Sequence, residues 1–382
     1  MKIAVLGGYG EMGKTAVRDL AETFDGRIIV AGRDYKKAAA FARSLKTGNA
    51  FPARADAADV KGLAALIKGC DVVVNCAQYY FNLNVMEAAL SAGANYIDLG
   101  GLFHTTKKQL RLHKKFAKKN LVAVLGCGST PGITNVMAAY GAERFELVEG
   151  IKVRFGGADY TDYGDMPIVV PYSMQTIFDE FTMEPAVLKN GRIRMVEPMY
   201  GRELYDFPQP IGRKRCFATL HSELATFPSS FKGLKSCAFK LAFPADFVSK
   251  VKFLVDAGFA STEKIAAGSA ITPREVSIRL LNRFLPPPHI KVRDEEMLVV
   301  DMAGKAGGRR KRVRVVCHAK SSEKWNVSAG AVDTGVPPSI IAQMVAAGRV
   351  KRKGVLPPEL CIEPEPFFRE LKKRGMKVFI SK

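Results

Sequence analysis

The sequence is poor in residues that bind metals or form disulfide frameworks. Its seven cysteines are odd in number and include no Cys-x-x-Cys pair, and its five histidines show no metal-ligand spacing. A zinc site needs closely spaced ligands, and a disulfide-stapled domain needs paired cysteines. We therefore expect no bound metal, no disulfide framework and a reducing, cytoplasmic location.

Long hydrophobic runs are also missing. The apolar run at the N-terminus ends at Gly7, far short of a signal peptide. The longest uncharged stretch, residues 120–142, contains glycine, proline and polar residues, which disfavour a membrane-spanning helix. The sequence thus predicts neither an export signal nor a membrane span.

Acidic residues are scarce relative to basic ones. The chain has 58 Lys and Arg against 37 Asp and Glu, a net charge of +21, which predicts attraction to anions. The positive charge is dispersed and no nucleic-acid-binding motif accompanies it, so we expect a solvated surface and no specific nucleic acid. The phenylalanine-rich segment 227–259 is either a core or dimer surface or a site of contact with an acidic bilayer.

The 382 residues suffice for two domains. In the first third, β-branched runs alternate with amphipathic segments, which is typical of a parallel sheet covered by helices. Helices are expected to begin at Thr130-Pro131 and at a cap formed by Thr334. We predict an α/β protein: a Rossmann-type doubly wound sheet, an inserted α+β substrate and dimerisation domain, and a C-terminal segment that returns to the first domain. The strands of the first domain are predicted at residues 2–6, 27–31, 50–54, 71–75, 96–99 and 122–125, and the three parts are residues 1–133, 134–333 and 334–382.

The first predicted turn carries a dinucleotide-binding pattern. It reads Gly7-Gly8-Tyr9-Gly10-Glu11-Met12-Gly13 and lies between a predicted strand and a predicted helix. Glycines permit the tight turn, and the free N–H groups at the start of the helix bind the pyrophosphate. The flanking strand and helix are the context that this interpretation requires.

The end of the second predicted strand bears on the choice between NAD and NADP. NAD sites usually place an acidic residue there, but this chain has Ala31-Gly32-Arg33. A guanidinium pairs with the 2′-phosphate of NADP, so we expect NADP rather than NAD. The alternative is that Arg33 is a solvated residue at the start of a helix. Asp56, after the third strand, is either a helix cap or a neighbour of the adenine.

The loops after strands four to six should face the nicotinamide, because ligands of doubly wound folds lie beyond the carboxyl ends of the strands. In the second loop, Asp98 is expected either to bind substrate or cofactor or to cap the following glycine turn. Tyr79 and Tyr80 of the first loop form either a proton relay and stacking wall or ordinary packing. Cys127 of the third loop is either a proton donor or a buried, inert thiol.

His221 is the one histidine with a companion that suggests chemistry. Glu223 lies two residues further on and would share its face of a strand. The two side chains form either a proton-transfer pair or a structural hydrogen bond.

Several segments carry a family resemblance. Residues 71–77 read DVVVNCA, residues 96–101 read YIDLGG, residues 130–135 read TPGITN and residues 221–226 read HSELAT. These segments resemble the saccharopine dehydrogenase-like family, in its branch with saccharopine reductase and lysine 6-dehydrogenase.

The resemblance implies an NAD(P)-dependent oxidoreductase that transfers hydride at a C–N bond of an amino acid or amine, such as a saccharopine- or lysine-like substrate. It also implies an inserted domain that contacts substrate and often forms a dimer. Thr130 and Gln78-Tyr79-Tyr80 depart from the family pattern, which leaves the substrate open. The competing hypothesis is a non-catalytic NADP-binding redox sensor or a membrane-associated scaffold.

The candidate residues fall into three groups. The catalytic candidates are Asp98, Tyr80, Cys127 and His221. The cofactor-binding candidates are Gly7, Gly8, Tyr9, Gly10, Glu11, Met12, Gly13, Arg33, Asp56, Cys76, Ala77 and Gln78. The substrate-binding candidates are Tyr79, Thr130 and Glu223. The expected partners are a small amino-acid or amine substrate and a second copy of the chain in a homodimer.

Overall fold

The computed structural model describes residues 1–266, 268–284, 287 and 289–381. Its N-terminal third alternates strands and helices, because short buried runs of β-branched residues are separated by segments that bury one helical face. These elements are β1 (Lys2–Leu6), α1 (Glu11–Thr23), β2 (Arg27–Gly32), α2 (Tyr35–Ser44), β3 (Ala50–Arg54), α3 (Val60–Ile67), β4 (Val72–Asn75), α4 (Asn82–Ala92), β5 (Asn95–Asp98), α5 (Leu102–Leu110), α6 (His113–Lys118), β6 (Val122–Val124) and α7 (Ile133–Ala142).

The middle of the chain is richer in strands. Its elements are β7 (Leu147–Asp159), α8 (Met174–Thr182), β8 (Ala186–Lys189), β9 (Arg192–Met195), β10 (Glu203–Asp206), β11 (Arg213–Ala218), α9 (Glu223–Ser230), β12 (Ser236–Leu241), α10 (Ala245–Asp256), α11 (Pro273–Leu281), β13 (Asp294–Ala306) and β14 (Arg309–Lys320). The C-terminal elements are α12 (Ala329–Ala346), β15 (Gly354–Leu356), α13 (Pro364–Lys373) and β16 (Lys377–Ser381).

The first sheet is parallel throughout, in the order β3-β2-β1-β4-β5-β6-β15. Its first six strands have the doubly wound order, in which the chain changes its direction of travel across the sheet between β1 and β4. The carboxyl ends of β1 and β4 therefore border the crevice where ligands of this architecture bind. The seventh strand, β15, comes from the C-terminal segment and pairs Gly354 with Val122.

The second sheet has nine strands in the part of the chain that the structure describes. Seven follow the order β10-β11-β12-β7-β13-β14-β16, while β8 joins β12 and β9 joins β8. Among the described residues, β12 and β7 pair in parallel, and the other strand pairs of this sheet are antiparallel. The C-terminal segment thus contributes one strand to each sheet, β15 to the first and β16 to the second.

The two sheets share one hydrophobic core. Helix α12 packs on α1, β4 and β5 of the first unit and on β13 and β14 of the second. Val74 and Ile97 belong to the same buried cluster as Val300, Val315 and Ile341. This shared core holds the carboxyl ends of the first sheet against the second sheet.

Two helix starts differ from the prediction. Helix α12 begins at Ala329, because the Ser328 hydroxyl caps it by accepting the Ala331 N–H at 3.1 Å. Thr334, predicted as the cap and as the first residue of the C-terminal segment, therefore lies inside the helix. Helix α7 begins at Ile133, after Gly132, whose N–H donates to the Asn135 side chain at 2.9 Å. Thr130-Pro131 is therefore part of the preceding loop and free for other contacts.

The phenylalanine-rich segment contributes mainly to the core. Phe227 and Phe239 are buried, whereas Phe253 and Phe259 are exposed. Across the described residues, no helix has both the length and the apolar character needed to cross a membrane.

Candidate active site

The glycine-rich loop between β1 and α1 has the geometry of a pyrophosphate cradle. Gly7 has φ +73°, and a Cβ on it would lie 2.9 Å from the carbonyl carbon of Cys76 in the neighbouring loop. A Cβ on Gly13 would collide with the Gly7 carbonyl oxygen. No side chain caps the first turn of α1 at Gly10, so its N–H groups are available to an anion. These residues fit the dinucleotide predicted for this loop.

Tyr9 of the glycine-rich loop packs against the end of β2, beside the predicted position of the ribose phosphate. The Tyr9 ring packs so closely on Gly32 that a Cβ there would clash, and its hydroxyl accepts the Asp34 N–H at 2.8 Å. Arg33 is exposed, and none of the ion pairs among the described residues involves it. The guanidinium of Arg33 therefore has no competing carboxylate partner.

Asp56 and Asp59 have separate structural roles after β3. The Asp56 carboxylate accepts the Ala58 N–H at 2.9 Å and so closes a turn. The N-cap of α3 is Asp59, which accepts the Gly62 N–H at 3.0 Å. Asp56 is thus a turn residue and does not cap the helix.

Asp98 joins the second and third loops. One of its carboxylate oxygens accepts the N–H groups of Gly100 and Gly126, at 2.9 and 2.7 Å. The other accepts from the Tyr96 hydroxyl at 2.9 Å and the Gln109 amide at 2.5 Å. Burial raises the pKa of Asp98, while these hydrogen bonds oppose the rise. The side chain is fully buried and its acceptor positions hold the two loops together, which favours the second of its two expected roles, the cap of the glycine turn. A catalytic role for Asp98 stays a prediction.

Cys127 has the surroundings of a buried, inert thiol rather than those of a proton donor. Its side chain is completely buried in the shared core, where the thiol donates to the Val124 carbonyl at 3.5 Å. Burial raises the pKa of the Cys127 thiol well above its ordinary value, so it stays protonated. The buried, inert alternative describes this residue.

The first loop, after β4, contacts the second unit. The Tyr79 hydroxyl donates to Asp179 of α8 at 3.0 Å, and Asp179 is paired with Arg274 of α11 at 2.5 Å. The Gln78 amide lies 3.5 Å from the Ser173 hydroxyl. Tyr80 is 56% exposed and packs against the rings of Tyr79 and Phe81. Among the described residues, no hydrogen bond joins its hydroxyl to a catalytic candidate. Tyr79 and Gln78 act here as contacts between the two units.

His221, Glu223 and Thr130 form the most chemically suggestive group of the predicted residues. The His221 Nδ1 hydrogen-bonds one Glu223 oxygen, and the other oxygen accepts from Thr130 at 2.5 Å and Thr134 at 3.1 Å. The predicted strand is wrong here, because β11 ends at Ala218 and Glu223 starts α9. The pair forms through the tight connection between these elements.

Glu223 is an ionised acceptor in this group. Burial acts to raise the pKa of Glu223, but the neighbouring His221 and the hydrogen bonds from His221 and Thr130 hold it below its ordinary value. Because a carboxylate only accepts, His221 must donate through Nδ1, which leaves Nε2 to exchange a proton in the neutral ring. The His221 ring is fixed by stacking on Phe239, with centroids 3.7 Å apart.

The group lies over the carboxyl ends of β5 and β6. Thr130 belongs to the loop after β6, and the Ser222 hydroxyl accepts the Gly101 N–H of the loop after β5 at 3.4 Å. These strands follow β4 in the sheet, on the side of the crevice away from β2 and β3, and ligands of doubly wound folds lie beyond such strand ends. The structure thus brings three predicted residues, His221, Glu223 and Thr130, together where the chemistry is expected.

Several acidic residues near this group were missed by sequence reasoning. Glu180 of α8 hydrogen-bonds Tyr172, and burial raises the pKa of Glu180 to about 7, which the nearby His221 opposes. Asp333, also fully buried, is the one charged residue of the apolar helix α12. A lone carboxylate in an apolar helix is a signal that sequence reasoning can use. Within the described parts of the chain, no group of His, Cys, Asp and Glu is arranged to hold a metal ion.

Comparison with known proteins agrees with this architecture. Residues 3–124 match the family model of the saccharopine dehydrogenase NADP binding domain, and residues 128–376 match that of the saccharopine dehydrogenase C-terminal domain. The fold and the glycine cradle define a nucleotide-binding oxidoreductase of the Rossmann type. More particularly, the chain belongs to the saccharopine dehydrogenase-like family.

Two relatives align over almost the whole chain. Carboxyaminopropylagmatine dehydrogenase of Synechocystis sp. is 24% identical, covering 97% of this chain and 95% of its own length. Carboxynorspermidine synthase of Vibrio alginolyticus is 25% identical, covering 97% and 94%.

Two solved structures share the fold. Saccharopine dehydrogenase (L-Glu forming) of Saccharomyces cerevisiae has a TM-score of 0.73 at 18% identity, covering all of both chains. Homospermidine synthase of Legionella pneumophila, in complex with NAD, has a TM-score of 0.71 at 12% identity, covering 100% of this chain and 91% of its own.

Proposed function

We propose that this chain is an NADP-preferring oxidoreductase that transfers a hydride at the C–N bond of an amine carrying an amino-acid group. The observation that carries the proposal is the His221–Glu223–Thr130 group beside the loops that close the nucleotide crevice. Oxidation of an amine to an imine requires a group that takes a proton from nitrogen, and reduction requires one that returns it. His221 is such a group.

The cradle of Gly7, Gly10 and Gly13 would hold the pyrophosphate, and the bound nicotinamide supplies or accepts the hydride. Glu223 holds the His221 proton on Nδ1, so that Nε2 takes the proton of the substrate nitrogen in the oxidative direction. In the reductive direction the protonated ring returns that proton to the nitrogen. The negative charge of Glu223 stabilises the imidazolium formed between these steps.

Preference for NADP is supported by the second strand. An acidic residue at the position of Arg33 would repel a 2′-phosphate, whereas an exposed guanidinium without an ion-pair partner can bind it in bidentate fashion. Tyr9, packed on Gly32, provides a rigid wall beside Arg33.

The relatives favour a polyamine-like substrate over lysine or saccharopine. Two relatives aligned over almost the whole chain are named for carboxylated derivatives of agmatine and norspermidine. We propose an amine of that kind, with a secondary nitrogen between a carboxylated arm and a cationic arm. The homodimer predicted from the resemblance stays a prediction.

The test combines cofactor binding with turnover. Purified protein is titrated with NADPH and NADH by nicotinamide fluorescence, and Arg33→Ala is titrated in parallel. NADPH oxidation is then followed with an amino-acid semialdehyde plus agmatine, a diamine or lysine, and with glutamate plus a semialdehyde. We expect tighter NADPH binding that Arg33→Ala abolishes, and turnover with an amine that His221→Gln reduces at least about 100-fold.

Other outcomes would separate the competing functions. Tight NADPH binding without turnover of any amine would favour the redox sensor. Binding of NADH in preference to NADPH would contradict the role given to Arg33 while leaving hydride transfer intact. Turnover that His221→Gln leaves unchanged would overturn the proposed proton exchange.

A further inference from the structure

Glu296 of β13 and Asp333 of α12 are neighbouring acidic side chains that have no ion-pair partner in the described part of the chain. The Glu296 carboxylate packs against Gly330 of α12, where a Cβ would lie 3.1 Å from its Oε1 atom. Gly330 is one helical turn before Asp333, which is fully buried. One oxygen of each group, Glu296 Oε2 and Asp333 Oδ2, is buried without a hydrogen-bond donor among the described residues. Two carboxylates offer only acceptors to each other, so a proton or a cation must lie between them.

The surroundings of the pair add negative charge. Asp294 lies two residues before Glu296 on the same face of β13, and Asp159 is its partner across β7. Within the described part of the chain, no lysine or arginine forms an ion pair with Asp294, Glu296 or Asp333. Burial raises the pKa of both Glu296 and Asp333 well above the ordinary value, and the charge of Asp333 raises that of Glu296 further.

A shortage of basic residues does not explain the missing counter-ion. The chain carries 58 Lys and Arg against 37 Asp and Glu. The neighbouring Glu295, on the other side of β13, is paired with Lys320 at 3.0 Å and with His318 at 2.6 Å. The Glu296–Asp333 pair is therefore without an ion-pair partner among the described residues although the chain has an excess of cations.

The pair lies beside the candidate active site. Thr130 of the loop after β6 binds Glu223, and Asp333 is the residue before Thr334 in α12. The Thr334 methyl group would be 3.3 Å from a Cβ on Gly128 of the same loop. The loop after β6 thus has the proton-transfer pair on one side and the carboxyl pair on the other.

We propose that Glu296 and Asp333 are a binding subsite for a cationic nitrogen on the arm of the substrate remote from the reacting bond, an ammonium or a guanidinium. This inference rests on the proposed function, because it assigns the substrate of that same site. Without substrate the two groups share a proton. A bound cation supplies N–H donors to both orphaned oxygens and releases that proton, so that a buried charge gains a partner.

Titratable groups face the pair from each element packed on it. They are Asp159 of β7, Asp294 of β13, Cys317 of β14 and Tyr172 before α8. All are acidic or neutral, so none supplies the missing positive charge. Burial raises the pKa of the Cys317 thiol and of the Tyr172 hydroxyl, which keeps both protonated near neutral pH.

The test measures binding of simple cations to the full-length protein with NADP⁺ present. Calorimetry compares putrescine and agmatine, which carry two cationic groups, with butylamine, which carries one. We expect the two-cation ligands to bind at least about 10-fold tighter, the range that one hydrogen-bonded charge supports. Titration in two buffers of different ionisation enthalpy should show release of a proton on binding.

Variants then assign the effect to the pair. Glu296→Gln keeps the shape and can donate an amide N–H to Asp333, so we expect a folded protein that loses at least about 10-fold in agmatine affinity. Its NADPH affinity should stay unchanged. The matched control, Glu295→Gln, changes the adjacent residue on the other side of β13 and should bind agmatine as the native protein does.

The outcomes distinguish this subsite from the proposed function. Equal affinity for butylamine and putrescine in the native protein overturns the subsite without needing any variant to fold. Undiminished agmatine binding by Glu296→Gln also overturns it. If agmatine binding depends on Glu296 but no amine is turned over, the subsite is supported and the proposed function fails. If amines are turned over but binding shows no preference for two cationic groups, the proposed function is supported and the subsite fails.

Discussion

Replacing Glu223 with glutamine should change which nitrogen of His221 carries the proton. In the native structure Nδ1 donates to Glu223, and the other carboxylate oxygen accepts from Thr130 and Thr134. A glutamine oxygen can keep the two threonine hydrogen bonds, but its NH₂ group then faces Nδ1. Nδ1 must become the acceptor, and the proton of the neutral ring moves to Nε2.

The expected fall in kcat follows from the loss of the proton-accepting role of His221 Nε2. A protonated Nε2 in a neutral ring cannot accept a proton from the substrate nitrogen, and the imidazolium loses its buried counter-charge. A correctly protonated base contributes about 10²- to 10⁴-fold, so we expect kcat for amine oxidation to fall by that factor, or about 3 to 5 kcal/mol in barrier height. Stability should fall by only about 1 to 3 kcal/mol, because one charged hydrogen bond is exchanged for a neutral one.

The assay is steady-state NADPH formation with the amine identified by the turnover screen, together with fluorescence titration of NADPH. Nucleotide affinity should change by less than about twofold, because Glu223 touches no residue of the glycine cradle. The control is again Glu295→Gln, whose partners are His318 and Lys320. A kcat for Glu223→Gln within about threefold of the native value would refute the tautomer reasoning, since that is far below the contribution of a general base.

Three further predictions concern the supporting residues. Asp98→Asn should lose about 2 to 4 kcal/mol in denaturant unfolding, because an amide cannot accept from all four donors, and a loss below about 1 kcal/mol would contradict the loop-joining role. Cys127→Ala should leave kcat unchanged and lower Tm slightly, whereas a large drop in kcat would restore a catalytic thiol. The pKa of Glu180 is raised from 4.5 to about 7 in the folded protein, so between these pH values the folded state keeps a proton that the unfolded chain has lost. The stability contributed by this group is therefore complete below pH 4.5 and is lost as the pH rises through 7. The native free energy of unfolding should therefore fall over this range relative to that of Glu180→Gln, and parallel pH profiles for the two proteins would refute the shift.

Much of the nucleotide-binding unit could be predicted from the sequence. Its first six strands are short buried runs whose positions follow from β-branched residues and turns, and the observed bounds differ from the predicted ones by about one residue. The glycine loop is similarly local, because the motif and its flanking strand and helix are consecutive in the chain. These features depend on residues that are close together in the sequence, and hydrophobic periodicity reflects the arrangement of such residues.

The functions of single polar residues were less predictable. Asp98 has two acceptable roles from its sequence position, and only the donors brought by Gly126 and Gln109 decide between them. The sequence predicts the contact between His221 and Glu223, but it places them on a strand, whereas they lie in the connection between β11 and α9 and at the start of α9. In each case the deciding partner comes from another element of the fold.

The strands of the first sheet, the nucleotide cradle and the basic residue at the end of β2 follow from local sequence, since each is encoded by residues within a single turn or element. The pairing of β15 with β6, the hydrogen bond from Thr130 to Glu223 and the approach of Glu296 to α12 arise from folding of distant segments onto each other. These contacts join residues far apart in the chain, and such pairs leave no periodic trace. The physical reason is that burial and hydrogen-bond satisfaction are settled when α12 packs between the two sheets, a step that no local pattern specifies.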